Sequence, residues 1–225
     1  MSEPQRGEIF ELAIEGASAA AVVILSEDDW NTYAKDCVVV PLYRDPDAEG
    51  GLIRPRVDDE LIANCTRVTS LARSDLGAYM SDCPIAVVDA VGDGVRAYFG
   101  LDDLLHPPRV RPRSRGRAGW WPRQADVRKA LRIAPTPKWV AIVSEDPSNV
   151  ELEHAVGARL TSGTSKHRRA RWEIPVRGGF AIATDLHLIP HSGFDQRPTI
   201  SPPFPRLNQS EMRELAERLI TTLGL

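Results

Sequence analysis

In the alternating run GFAIATDLHLI (179–189), Asp185 and His187 stand two residues apart. That spacing puts a carboxylate and an imidazole on one strand face. Such a pair can hold and move a proton near neutral pH, or it can be a structural contact; both readings stay open at this level. A second candidate is TSGTSKHRRARW (161–172), which opens on the hydroxyls of Thr161 and Ser162. It continues through Lys166, His167, Arg168, Arg169 and Arg171 to Trp172. Cations there suit phosphates and the terminal ring suits a base, so the stretch reads as an RNA-binding loop; its plainer reading is a solvated hairpin tip. A third is DDLLHPPRVRPRSRGRAGWWPR (102–123), where Pro-Pro, alternating Arg and Trp120–Trp121 read as a basic strap over a phosphate backbone or as a solvated tether.

Several chemistries lack their residues. The sequence holds no P-loop, no dinucleotide fingerprint, no H-E-x-x-H and no cysteine pair at zinc spacing, so no metal or cofactor is expected. Cys37, Cys65 and Cys83 are odd in number and read as reduced core thiols. No apolar run approaches the ~20 residues of a membrane-spanning helix. The start MSEPQRGEIF lacks a signal-peptide core, which leads us to expect a cytoplasmic chain with no membrane partner.

Charge divides the chain. Residues 1–106 carry 8 Lys/Arg against 20 Asp/Glu, and residues 107–225 carry 20 against 11. The second half therefore suits a polyanion or an acidic partner, unless the two surfaces simply attract each other.

The elements that must position these groups come twice. VVILSEDDWN (22–31) and VAIVSEDPSN (140–149) share six of ten residues at a spacing of 118. The same spacing sets VVVPLYRDP (38–46) on VGARLTSGT (156–164) and LIANCTRVTSL (61–71) on GFAIATDLHLI, and both copies finish on Gly-Leu, at 100–101 and 224–225. Nine extra residues are expected within 191–205, with MSD (80–82) then falling on LNQ (207–209). Short β-branched runs bounded by Gly, Asp and Pro predict strands. Each copy should close with one helix. In the second, Asn208 and Glu211 form a capping-box pattern before Met212, Leu215, Leu219 and Leu223 at helical spacing. In the first, Ser81 is the expected cap, with Ile85 and Val88 facing inward. The expected class is mainly β with C-terminal helices: a first copy over 1–101, a basic Pro/Arg linker over 102–122 and a second copy over 123–225. Many short strands with a single helix suggest a small barrel for each.

The order of these pieces resembles the MazF/PemK family of toxin endoribonucleases and the related CcdB toxins. The resemblance lies in RGEIF (6–10), the V-V-I-L-S…N strand (22–31), VVVPL (38–42), L-T-S (160–162), ATDLHLIP (183–190) and the closing helix EMRELAERLITTLGL (211–225). It implies two tandem SH3-like barrels, a dimer fused into one chain as an intrachain pseudo-dimer, with RNA and a small antitoxin protein as partners. It also implies metal-free attack of an RNA 2′-OH on the adjacent phosphate. The family's usual Arg and Thr positions read Ala20 and Tyr43 in the first copy, so that copy looks inactive. They read Lys138 and Thr161 in the second, and lysine keeps the charge without the bidentate fork of arginine. The implied catalytic set is Lys138, Thr161, Asp185 and His187, on the second copy alone. Two other functions stay open: a degenerate RNA- or antitoxin-binding module, and a CcdB-like gyrase-binding toxin.

Overall fold

The computed structural model of the chain describes residues 3–106, 121–131, 133, 136–162, 171–195 and 205–225. Two compact units form: Met1–Tyr98 with Leu219–Leu225, and Phe99–Arg218.

In the first unit the strands are β1 (Glu8–Leu12), β2 (Ala21–Ile24), β3 (Asp36–Arg44), β4 (Leu61–Ala63), β5 (Thr69–Ala72) and β6 (Leu76–Asp82). Helix α1 (Asp28–Tyr33) joins β2 to β3, and α2 (Ile85–Phe99) follows β6. The sheet is antiparallel in the order β4-β3-β2-β1-β6, with β5 pairing on β3 as well. Strand β3 is long enough to take both neighbours in turn, pairing Val39 with Thr69 and then Leu42 with Ala63. Three residues of excess on the partner side make a break there, and Pro41 sits at it. A proline has no N–H to offer a ladder, and a break is where a strand tolerates one. Its carbonyl accepts from the Asn64 amide at 3.0 Å. Phe10, Val22, Ile24, Cys37, Val39 and Leu76 form the core under this sheet.

The second unit begins with α3 (Leu101–Leu105) and continues through β7 (Val127–Ala130), β8 (Lys138–Ile142), α4 (Asp146–Leu152), β9 (His154–Thr161), β10 (Glu173–Val176) and β11 (Gly179–Pro190). Helix α5 (Gln209–Leu223) closes it. The sheet order is β10-β11-β9-β8-β7, again antiparallel. Its core holds Ala130, Val140, Ile142, Ala155, Ile189 and Phe194.

The repeated sequence is a buried hydrogen-bond staple. Ser26 Oγ donates to Asn31 Oδ1 at 2.6 Å, Asn31 Nδ2 to the Ser26 carbonyl at 3.1 Å, and the Val38 amide to Ser26 Oγ at 3.0 Å. The same three bonds join Ser144, Asn149 and Val156 at 2.5, 3.0 and 3.0 Å. Both Ser and both Asn side chains are fully buried, so each group must find its partner inside. The motif recurs because it pins a short helix between two core strands.

A second shared device ties in the helix ends. The Arg6 guanidinium donates to the carbonyls of Leu25, Leu223 and Gly224. At the equivalent place the Gln124 amide donates to Val143 at 2.9 Å and Phe99 at 2.8 Å. The end of α5 thus completes the first unit and the end of α2 the second. Gly100 and Gly224 follow those ends with φ of 59°, the left-handed conformation that glycine adopts without penalty.

Three expectations need correction. Neither sheet closes into a barrel among the described residues; both are open, ending on strands as short as β4 and β10. Ser81 lies within β6 rather than capping α2, and Ile85 is 81% exposed while Val88 is buried. Pro84 starts that helix instead, its carbonyl accepting from Val87 and Val88, so Ile85 falls on the first solvent-facing turn. MSD therefore lies in a strand, whereas LNQ leads into a helix; Ile85 corresponds to Gln209 and Phe99 to Leu223. The second helix is as expected: Glu211 N donates to Asn208 Oδ1 at 3.0 Å and Asn208 N to Glu211 Oε2 at 2.8 Å.

Candidate functional site

The sheet of the second unit is apolar at one end and polar at the other, on a single face. Ala155, Gly157, Arg159 and Thr161 alternate onto one side of β9, and Ile142 and Val140 face them from β8. Ala155, Val140 and Ile142 belong to the core, so the polar end begins at Gly157. A Cβ at Gly157 would stand 2.8 Å from the Val140 Cβ, closer than packed atoms approach, so only glycine fits. His187 of β11 sits directly opposite it in register.

Beyond this point β11 breaks its ladder. Ile182 pairs with Arg159 and Leu186 with Ala158, so that Ala183, Thr184 and Asp185 form the excess between two successive pairs. Bulges re-aim side chains, and this one turns Asp185 towards its neighbours. Asp185 Oδ2 lies 2.7 Å from Arg159 Nε, and Oδ1 lies 2.7 Å from His187 Nε2. Asp185 keeps 12% of its side chain exposed, His187 22% and Arg159 27%. Neither close contact is a straight hydrogen bond: Arg159 Nε and His187 Nε2 are buried donors without an aligned acceptor among the described residues. The carboxylate lies between the Arg159 guanidinium and the His187 ring. Engaged at Nε2, His187 keeps Nδ1 as the ring nitrogen not turned to Asp185.

Lys138 and Thr161 lie further along. Trp139 pairs with Leu160, and the next step of that register sets Lys138 opposite Thr161 at the strand ends. Both are partly exposed, and Lys138 Nζ donates to Thr136 Oγ1 at 3.2 Å. The four implied catalytic residues thus fall on three adjacent strands of one sheet. Arg159, between Gly157 and Thr161, was not among the candidates; the alternation of VGARLT puts it on their face, which is the signal that could have found it.

The basic loop is only partly described. Ser162 and Arg171 are exposed, while Lys166, His167, Arg168 and Arg169 lie outside the described residues, as does Trp120 of the linker. Trp172 is 4% exposed and belongs to the interior, so its ring is not offered to a base. It packs where WEIPV turns into β10, and the Arg171 guanidinium covers it at 5.9 Å from the ring centre. In the first unit the positions of Lys138, Gly157, Arg159, Thr161, Asp185 and His187 hold Ala20, Val39, Pro41, Tyr43, Arg67 and Thr69. Ala20 there borders a cavity of about 340 Å³ lined by Glu11, Asp58, Asp59 and Glu60 with Arg44.

Burial pushes the thiols up, to about 11 for Cys37 and Cys83 and about 12 for Cys65. All three are buried and unbridged, which leaves them protonated and inert at neutral pH. Among the described residues no cluster of His, Cys, Asp or Glu could hold a metal ion, and no helix is long and apolar enough to cross a membrane.

No protein-family model matches the chain, and no curated protein does. Solved structures do. A mycobacterial endoribonuclease in complex with its cognate antitoxin matches at 18% identity, over 44% of this chain and 96% of its own, with a TM-score of 0.39. A second mycobacterial endoribonuclease matches at 17% identity, over 44% and 94%, with a TM-score of 0.38.

Proposed function

We propose that this chain is a metal-independent endoribonuclease of the MazF/PemK toxin kind, made of two tandem copies fused as a pseudo-dimer, with one working site on the second copy. The duplication is supported by the Ser–Asn staple, which recurs bond for bond. A small antitoxin protein would be its physiological partner. The observation that carries the reading is the Asp185 bulge: it brings a carboxylate and an imidazole together on the sheet whose neighbouring strand ends carry Lys138 and Thr161. Each group then has a task. His187, oriented by Asp185, takes the proton of an RNA 2′-OH as its oxygen attacks the adjacent phosphorus. Lys138 and the Thr161 hydroxyl offset the charge gathering on the phosphoryl oxygens. The bond from phosphorus to the 5′-oxygen breaks, and that oxygen leaves with a proton from the Lys138 ammonium. The products are a 2′,3′-cyclic phosphate and a free 5′-hydroxyl.

The test is incubation of the purified chain with single-stranded RNA in EDTA, with the fragment ends analysed chemically. Cleavage leaving cyclic phosphate is the expected result. RNA bound but left intact at stoichiometric protein would transfer the reading to a binding module, which the close pairing of Asp185 with Arg159 would then suit.

A further inference from the structure

Resting on that reading of the second unit as an RNA site, we infer that Arg159 is the phosphate-gripping cation of the site and that Asp185 is the residue that positions it. Three observations carry this. Arg159 lies on the same face as Thr161, two residues away, at the polar end of β9. Asp185 fixes it at Nε, from 2.7 Å, and a guanidinium held along that edge has its Nη nitrogens available for a second, bidentate anion. The guanidinium is also not sealed off by this pairing: 27% of the Arg159 side chain stays exposed, so its outer nitrogens can meet a ligand.

A purely structural role for the ion pair is answered by the other half of the chain. The first unit has the same three-residue excess at the same place, between the Val39–Thr69 and Leu42–Ala63 pairs. There Pro41 stands for Arg159 and Arg67 for Asp185, and the break is held by Asn64, whose Oδ1 accepts from the Thr66 amide at 3.2 Å and the Thr66 hydroxyl at 2.7 Å. The fold closes this break without an ion pair. Only the second unit places a carboxylate there with a guanidinium across from it, beside a strand end carrying one more cation, Lys138. The local charge is positive in excess, the sign a phosphate needs. Lys138 alone would be a point charge; Arg159 supplies the planar fork that the family's missing arginine would otherwise provide.

The experiment reads binding separately from cleavage. A 2′-O-methyl RNA oligonucleotide, which lacks the attacking hydroxyl, is titrated by fluorescence anisotropy against the full chain over a range of salt. Arg159→Ala should flatten the slope of log affinity against log salt by about 0.7, the value of one phosphate contact on a single strand. Arg159→Lys should keep the slope and lose affinity by roughly tenfold, the fork being gone and the charge kept. Asp185→Asn should keep the slope while lowering the cleavage rate, because the cation remains but is no longer aimed. Arg213→Ala, on the exposed face of α5, is the control and should behave as the wild type. A folded Arg159→Ala with an unchanged slope would overturn the inference while leaving RNA binding intact. So would an unfolded Arg159→Ala alongside an Arg159→Lys of wild-type slope and affinity, since the role would then be structural. Failure of the wild-type chain to bind the oligonucleotide would sink the RNA reading itself, and this inference with it.

Discussion

The two units hold the same scaffold and differ in what they place on it. Both pin the helix between their second and third strands with a buried Ser–Asn pair, and in both the chain paired on that third strand carries three residues in excess. At six matched positions the first unit carries Ala20, Val39, Pro41, Tyr43, Arg67 and Thr69, and the second Lys138, Gly157, Arg159, Thr161, Asp185 and His187. The first set fills space: Val39 is core, and Arg67 Nη1 approaches the Tyr43 hydroxyl at 3.4 Å. The second set puts a closely packed glycine opposite an imidazole and sets charged side chains beside that imidazole. The staple is retained in both halves, while the charged end belongs to the second alone.

The largest effect should come from separating the halves by activity. Thr161→Ala or Lys138→Ala is expected to slow RNA cleavage by about 10²–10³-fold, the usual loss when one group stabilising the transition-state charge is removed. Tyr43→Ala should leave the rate within about twofold, with initial rates on a short fluorogenic RNA as the measure. Equal losses from all three would mean that both halves share one working site, and the contrast drawn here would fail.

A smaller effect should appear in stability, where the staples are not identical. Asn149 Nδ2 also donates to the Pro122 carbonyl at 3.2 Å, a bond that Asn31 lacks among the described residues. Removing either asparagine leaves a buried serine hydroxyl and carbonyl unsatisfied, at about 1–3 kcal/mol. Asn149→Ala should exceed Asn31→Ala by about 1 kcal/mol in urea unfolding, for the one extra bond. Indistinguishable midpoints would show that the Pro122 contact contributes nothing.

The smallest effect concerns Glu145, the second unit's neighbour to Gly100. Burial raises its carboxyl pKa, partly offset by the Ser148 hydroxyl and reinforced by Asp103 and Asp146. A carboxyl harder to ionise when folded than when unfolded loses stability as pH rises through its folded pKa. Glu145→Gln should therefore raise Tm slightly at pH 7, and the gain should vanish below the ordinary carboxylate pKa of about 4.3, where both forms are neutral. A gain that persists in acid would point to packing rather than charge.

Local signals carried much of this into the sequence. The S-E-D…N repeat, the strand periods and the Asn208–Glu211 cap are short-range patterns, and each appears in the fold. Ser81 misled because a strand runs through it and Pro84 fixes the helix start three residues later than a cap at Ser81 would. Trp172 misled because an aromatic closing a basic run resembles a stacking platform, whereas it opens the apolar run WEIPV and belongs to the core. Closure of the sheet was not legible, since it depends on pairing between strands far apart in sequence. Arg159 was missed because the resemblance directs attention to Lys138 at the start of β8, and its meaning emerges only when a bulge on a different strand brings Asp185 to 2.7 Å.

The helix ends have a consequence for synthesis. Residues 219–225 belong to the first unit, yet the ribosome makes them after all of the second. At roughly 5–20 residues per second, the roughly 120 residues of Phe99–Arg218 impose a delay of roughly 6–24 seconds between the emergence of the first unit's sheet and the arrival of its last piece. Until then Arg6 lacks the carbonyls of Leu223 and Gly224, a charged side chain awaiting its partners. The half that begins translation first is the one that finishes folding last, so an incompletely translated chain should lack an intact first unit, however much of the second has emerged.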